Sequence, residues 1–502
     1  MTTRLETPAL AANWLRERVT GSLLTDSRKV VAGDGFIAWP GAATDARNYV
    51  ADALAAGAQA CLVEHDGVSA FSFRDEKVAS YAGLKAACGP IAAAYFEAPS
   101  QYLDVVAVTG TNGKTSTTWY LAQALGKLGR KCGIVGTLGI GDAKALVSSG
   151  LTTPDPVLLQ GQLRRFVDEG FAACALEASS IGIVERRLDA VSVRIAIFTN
   201  FTQDHLDFHV SMQAYWEAKK ALFNWAGLKA AVINLDDPKG VELNRSLARS
   251  GLDIWTFSCA ESGASARLEA QHLLYGENSL SFDVVEGSER HRISTRMVGQ
   301  YNVSNLLGAI AALRAMEIPL ADAVAASADL LPVPGRMDTL SLTGLPLVVV
   351  DYAHTPDALE KVLAALRPVA ASRNGQLWCV FGCGGDRDRA KRPIMAAVAE
   401  KNADKIVLTS DNPRTENPLA IIDGLLPGLS HRDAVHVEAD RAAAIAYALG
   451  QAQSRDVVLL AGKGHEQFQE INGKKLPFSD LAHAQAVLKL VMAQRQPAGS
   501  AT

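Results

Sequence analysis

Along this chain, short β-branched apolar runs alternate with longer stretches in which apolar positions recur every three to four residues, the periods of strand and helix. The first hundred residues read as a small α/β unit, with a strand at Phe36–Trp39, a helix over Tyr49–Ala56 and a second strand at Ala60–Glu64. From Leu103 the alternation becomes regular. Strands are predicted at Asp104–Val108, Cys132–Val135, Cys174–Glu177, Ile195–Thr199 and Ala231–Asn234, with helical stretches between them. Strands alternating with helices argue for a largely parallel sheet covered on both faces. The segment from about Leu268 to Val285 loses that rhythm and reads as a small antiparallel excursion.

The pattern restarts after Pro332-Val333-Pro334-Gly335-Arg336, with strands predicted at Leu345–Val350, Leu377–Phe381, Ile406–Leu408 and Val457–Leu460. The expectation is an α/β protein of three domains, 1–102, 103–336 and 337–502. No fixed-period repeat occurs, and a low-complexity tail begins at about Gln494. In the last domain Asp351, Gly382–Arg387, Asp411–Arg414 and Gly462–Glu466 each follow a predicted strand directly. Ligands of open parallel sheets bind at the carboxyl ends of the strands, so these four polar clusters mark a binding crevice.

Composition agrees with this and narrows the function. At about 150 residues per domain, 502 residues suggest roughly three domains. Hydrophobic residues at 48% and charged ones at 20% exclude a disordered chain or a coiled coil. The net charge, 49 − 53 = −4, lacks the basic excess of a nucleic-acid binder, so an anionic substrate must be gripped by local groups. Seven scattered cysteines without a C-x-x-C pair read as reduced thiols. No secretory h-region stands at the N-terminus, and no apolar run approaches the ~18 residues of a membrane span. A cytoplasmic monomer without membrane insertion is expected.

The chemistry starts at Val105–Ser116, which reads as a strand, a glycine-rich turn and a helix start. Backbone N–H groups of Gly110, Thr111, Asn112 and Gly113 suit phosphate oxygens, Lys114 the β/γ charge, and the Thr115 hydroxyl a Mg²⁺ ion, with Ser116 next in the helix. The generic phosphate loop has Gly where this chain has Val108, so the turn is tighter. Glu177, ending its strand, could grip a phosphate-bound cation or be a solvated acid. His205 could be a metal contact or a loop histidine, and Asp204 and Asp207 could be turn-formers. Lys219, on the helical run Tyr215–Phe223, reads by itself as a surface lysine.

Gly110–Thr115 resembles the ATP loop of the Mur ligase superfamily, ATP-dependent amide-forming enzymes of peptidoglycan synthesis, with folylpolyglutamate synthase as a cousin. The resemblance runs along essentially the whole chain, through Asp26–Arg28, Thr152–Pro154, Glu177–Ser180, Thr199-Asn200, Asp204–Asp207, Tyr215–Lys219, Tyr301–Asn305, Pro334–Arg336, Asp351–Pro356, Asp411–Arg414 and Gly462–Glu466. It implies a central P-loop ATPase-like domain and a C-terminal Rossmann-like domain, with ATP and Mg²⁺ as cofactors. UDP-MurNAc-L-Ala-D-Glu and meso-diaminopimelate are the implied substrates, joined through an acyl phosphate. It further implies a carbamylated Lys219 acting with Thr115, Glu177 and His205 at the metal, and Asn305, Arg336 and Asp351 as ATP contacts. Ser27, Thr152, Thr153, Ser179, Glu185 and Arg187 become contacts of the nucleotide substrate, although Ile181 and Glu185 depart from the family pattern. Arg387, Asp411, Asn412, Pro413, Arg414, Gly462 and Glu466 become the amino-acid site. Two rivals remain at this point: a folylpolyglutamate synthase, and a nucleotide-gated scaffold that has lost catalysis. The intact set Glu177, His205 and Lys219 speaks against the scaffold, and the first domain with Asp411–Arg414 against the synthase.

Overall fold

The computed structural model describes residues 2–41, 44–259, 265–275, 280–295, 297 and 299–495. It holds three α/β units in chain order, each built on its own sheet. In the first, five parallel strands run in the order Thr3–Leu5, Val78–Tyr81, Ala60–Glu64, Gly35–Ala38 and Leu23–Leu24. Their apolar runs divide by the two-residue period. Ile37 and Leu62 pack with Trp14 and Ile91 on one face, while Phe36, Cys61 and Val63 pack with Val50 on the other. Three of these strands, at Thr3–Leu5, Leu23–Leu24 and Val78–Tyr81, were not anticipated from the sequence.

The central sheet has eleven strands. Its parallel middle runs Asp253–Ser258, Ala230–Asn234, Ile195–Phe198, Asp104–Thr109, Ala173–Glu177 and Cys132–Gly136. Antiparallel additions close both edges. Gly139–Asp142 and Ala145–Val147 extend one; on the other, Leu268–Tyr275 joins Asp253–Ser258 in parallel and carries the antiparallel strands Leu280–Glu286 and Glu289–Thr295, as the lost rhythm there suggested. Along Asp104–Thr109, Val106 and Val108 face one core and Val105 and Ala107 the other, which is why the run shows no polar alternation. After this strand the chain crosses through helix Lys114–Lys127 to Cys132–Gly136, then returns to build Ile195–Phe198 on the opposite side. The glycine-rich loop therefore sits at the topological switch point, where parallel sheets open a ligand crevice.

The third unit orders Asp338–Leu340, Leu347–Asp351, Val457–Ala461, Leu377–Phe381, Lys405–Leu408 and Val435–Val437, parallel except for the first strand. Helix Pro356–Ser372 starts where Thr355 accepts from the Ala358 N–H and Pro356 occupies the first turn. A hairpin, Phe468–Ile471 and Lys474–Pro477, was not anticipated. All seven cysteines are buried thiols outside any disulfide. Among the described residues no helix is long and apolar enough to cross a membrane. The tail read from 494 onward lies outside the described residues from 496.

Candidate functional site

Two positive-φ glycines shape the phosphate loop: Gly110 at φ 148° and Gly113 at φ 85°. A Cβ on Gly110 would stand 1.9 Å from Thr199 Oγ1, and one on Gly113 2.3 Å from Asn305 Oδ1, so both positions demand glycine. The neighbouring strand end braces the loop. Thr111 N–H donates to Asn200 O at 2.9 Å, Asn112 N–H to Asn200 Oδ1 at 2.9 Å, and Thr199 Oγ1 donates to Asn112 O at 2.6 Å. Thr115 and Ser116 are buried in the first turn of the following helix.

Two lysine side chains converge on this loop. Lys114 Nζ donates to Gly110 O at 2.9 Å and Thr111 O at 2.8 Å, and Lys219 Nζ donates to Gly110 O at 2.7 Å. Lys219 is 1% exposed, over the Tyr215 ring, and the surface lysine suggested by its local sequence is thereby excluded. Burial and then the nearby Lys114 push its amine well below the usual lysine range. A neutral amine is the form that can react with CO₂.

Glu177 lies beside this pair because its strand end is in register with Val108. Its oxygens accept from the Thr137 N–H at 2.8 Å and the Thr137 hydroxyl at 3.1 Å, which leaves acceptor capacity for a cation. His205, at φ 54°, sets Nε2 3.4 Å from Asp204 Oδ2, and burial lowers its pKa to about 4, against the pull of Asp204. A neutral imidazole is a competent metal ligand. Among the described residues no three His, Cys, Asp or Glu side chains form a ready-made metal cluster. A carboxylate, a hydroxyl and one imidazole around a phosphate loop fit Mg²⁺, which takes few protein ligands and completes its shell with waters and phosphate oxygens.

The residues expected to hold the nucleotide substrate continue from the same wall. Thr153 Oγ1 donates to Glu177 O at 2.7 Å and lies 2.9 Å from Ser179 Oγ. Arg187 Nη1 donates to Thr153 O at 2.9 Å, and the Thr152 hydroxyl meets that of Thr137 at 3.0 Å. Glu185 forms a 2.7 Å ion pair with Lys85 of the first unit. Ser27 stands apart from this cluster, in a short 3₁₀ turn capped by Asp26.

On the other side of the loop a cavity of about 940 Å³ opens between the central unit and helix Pro356–Ser372, and Asn112, Gly113, Ser116, Asn305, Arg336 and Asp351 all line it. Asp351 accepts from the N–H groups of Met337 and Ala353, both at 2.8 Å, and Arg336 stacks on Tyr352 at 4.5 Å. Asn234, Asp236, Asp237 and Lys361 also line the cavity. Sequence reasoning passed over them, although Asn234 ends a predicted strand.

The third unit closes against this centre. Asn112 Nδ2 donates to Asp357 Oδ2 at 2.9 Å, Gln203 Nε2 donates to Asp388 Oδ2 at 3.2 Å, and Lys391 lies 3.7 Å from Asp204. Arg387, at an exposed edge, comes within 3.8 Å of Asp207. Behind it Asp411, Asn412, Pro413 and Arg414 meet Gly462 and Glu466: Asn412 Nδ2 donates to Glu466 Oε2 at 2.9 Å, and a Cβ on Gly462 would stand 3.0 Å from Asp411 Oδ2. Lys463, fully buried, donates to Asn412 Oδ1 at 3.1 Å and Glu466 Oε2 at 2.9 Å. Arg414, at φ 53°, donates from Nη1 to Gly385 O at 2.7 Å, and its Nε is 3.4 Å from Glu470 of the unanticipated hairpin.

A glycine-rich loop at the switch point of one sheet, with a polar cluster at the strand ends of another, suits a nucleotide-driven ligase. The Mur ligase middle domain matches residues 108–313, and the Mur ligase glutamate ligase domain matches 335–464. A UDP-N-acetylmuramoyl-L-alanyl-D-glutamate–2,6-diaminopimelate ligase of Acidovorax sp. is 56% identical over 485 residues, 95% of this chain and 96% of that protein. A solved structure of a ligase of the same name is 34% identical, with a TM-score of 0.63, covering 95% of both chains. The MurF ligase of Thermotoga maritima, solved in complex with ADP, shares the fold at 17% identity and a TM-score of 0.68, covering 95% of this chain and 99% of that one. The chain belongs to the Mur ligase family.

Proposed function

We propose that this protein is the ATP-dependent ligase that joins meso-diaminopimelate to UDP-MurNAc-L-Ala-D-Glu, working in the cytoplasm as a monomer with domain divisions near 102 and 337. The observation that carries the reading is the continuous wall from the phosphate loop through Glu177 to Thr153 and Ser179. A phosphate donor at one end of that wall and a substrate carboxylate at the other can meet. The identity of the substrates follows from the name of the relative that is 56% identical.

A carboxylate is a poor electrophile, so the reaction starts by activating it. The γ-phosphoryl group passes from ATP to the D-glutamate carboxylate, breaking the bond to ADP and forming an acyl phosphate. The amine of diaminopimelate then attacks the acyl carbon, loses a proton and expels phosphate. Lys114 and the N–H groups at the start of helix Lys114–Lys127 stabilise the transferring charge, since the Thr111 and Asn112 N–H groups already donate to Asn200, and Arg336, at the domain junction, reaches the phosphates as the third domain closes. Asn305 and Asp351 hold the rest of the nucleotide. Thr115, Glu177, His205 and a carbamylated Lys219 would hold Mg²⁺, which neutralises phosphate oxygens when bound. Thr152, Thr153, Ser179 and Arg187 grip the muramoyl dipeptide, with Ser27 on the uridine side and Glu185 at the edge. Arg387, Asp411–Arg414, Gly462 and Glu466 take the amino acid.

Phosphate release tests this directly. It should require ATP, UDP-MurNAc-L-Ala-D-Glu and an amino acid together, and within a panel of diaminopimelate, lysine, ornithine and glutamate it should favour the first strongly. Release without the muramoyl nucleotide would refute the reading. Equal rates with lysine would refute the amino-acid assignment and leave the ligase chemistry standing.

A further inference from the structure

Beneath the amino-acid cluster lies a buried ion pair that the reaction above does not use. Arg441 opens helix Arg441–Gln451 and is 1% exposed; Asp480 opens helix Asp480–Arg495 and is 0% exposed. The guanidinium meets both carboxylate oxygens, Nε donating to Oδ1 at 2.7 Å and Nη2 to Oδ2 at 2.6 Å. Its remaining reach goes to backbone: Nη1 donates to Ser410 O at 3.1 Å and Nη2 to Ala461 O at 3.0 Å.

Those two carbonyls are not neighbours in the sheet. Ala461 ends strand Val457–Ala461, Ser410 lies just past strand Lys405–Leu408, and Leu377–Phe381 runs between them. The residue after Ser410 begins Asp411–Arg414, and the residue after Ala461 is Gly462. One planar cation thus ties together the roots of both loops of the cluster. Stability by itself does not call for a charge here, since an apolar pair of similar volume commonly replaces a buried ion pair without loss. An apolar pair could fill the space but could not hold the carbonyls. Burial opposes the charge, yet Asp480, with the acids Asp411 and Glu466 above, keeps the guanidinium firmly protonated.

We propose that Arg441 is a positioning residue of this ligase: by fixing the spacing of the Asp411–Arg414 and Gly462–Glu466 loops, it sets the discrimination between amino-acid substrates. The inference rests on the ligase reading above. A lysine at this position would keep the charge facing Asp480 but lacks the fork needed to reach both carbonyls as well.

The experiment compares the full-length wild type with Arg441→Lys and with the double variant Arg441→Met/Asp480→Leu. The readouts are the KM for diaminopimelate, the KM for ATP and the ratio of kcat/KM for diaminopimelate over lysine. Both variants should raise the diaminopimelate KM at least tenfold, leave the ATP KM within twofold and cut the ratio at least tenfold. A loss of folded protein lowers both rates equally and cancels in the ratio, so a merely structural role leaves it unmoved. A ratio within twofold of wild type in Arg441→Lys overturns the proposal, whether or not the double variant folds. A wild type without preference for diaminopimelate instead refutes the amino-acid assignment, and the two failures are told apart in the same assay.

Discussion

Replacing Arg414 by alanine should damage one substrate's binding selectively, and the geometry sets the size of the effect. Of the five guanidinium donors, one is committed to Gly385 O at 2.7 Å and Nε faces Glu470 at 3.4 Å, which leaves three for a ligand carboxylate. Two parallel charge-assisted bonds to the distal carboxylate of diaminopimelate contribute about 1.5–3 kcal/mol each, net of the exchange with water. The side chain is 22% exposed, so solvent screens part of this. A loss of roughly 3 kcal/mol is then expected, or about 10² in the diaminopimelate KM at about 1.4 kcal/mol per decade. The loop itself should hold. Arg414 N–H still donates to Glu470 O at 2.9 Å, Gln469 still donates to Asp411 O at 2.8 Å, and alanine meets the same positive φ that arginine does. The ATP KM should stay within twofold, because none of residues 411–414 lines the nucleotide cavity. Steady-state phosphate release with each substrate varied in turn measures both constants. An unchanged diaminopimelate KM, or an equal rise in the ATP KM, refutes the assignment of Arg414 to the amino acid.

Further substitutions probe the phosphate centre. Lys219→Ala should nearly abolish turnover at saturating Mg²⁺, with partial recovery from a short carboxylic acid supplied in trans and none from bicarbonate; near-normal turnover would move the role to Lys220. The depressed amine of Lys219 also has a thermodynamic sign: the unfolded chain binds its proton more tightly, so stability rises with pH toward the ordinary lysine value. In bicarbonate-free buffer Lys219→Met should flatten that rise in melting temperature. Gly113→Ala forces a Cβ to within 2.3 Å of Asn305 Oδ1 at a φ of 85°, so calorimetric ADP affinity should fall at least tenfold, and an unchanged affinity would count against the loop as the phosphate site. Gly136→Ala puts a Cβ 2.2 Å from Glu177 Oε1, so the Mg²⁺ concentration for half-maximal activity should rise severalfold, as it should in Glu177→Gln.

How much of this was legible beforehand depends on the range of the interaction concerned. The strands Ala60–Glu64 and Leu377–Phe381 were read residue for residue, because an apolar run buried on both faces is a local pattern. The phosphate loop was legible for a similar reason: its glycines, lysine and hydroxyls act within a few residues of one another. The hairpin of Phe468–Ile471 and Lys474–Pro477 was missed, since its first strand is only partly buried, its second is exposed, and neither carries a periodic signal.

By itself the sequence determined the α/β alternation, the strand-end location of the polar clusters and the composition of each cluster. What only the tertiary structure decided is which of those clusters face one another and which charges lose their water. Lys219 is read locally as an exposed helical lysine, yet its Nζ meets Gly110 O, 109 residues away, and the side chain is 1% exposed. Arg441 and Asp480 open two ordinary helices, and only the packing of those helices against each other on one face of the sheet turns the pair into a buried clamp. Helix and strand propensity are set by neighbours three or four residues apart at most. Desolvation of a charge is set by whatever the folded chain stacks upon it, and no local pattern records that.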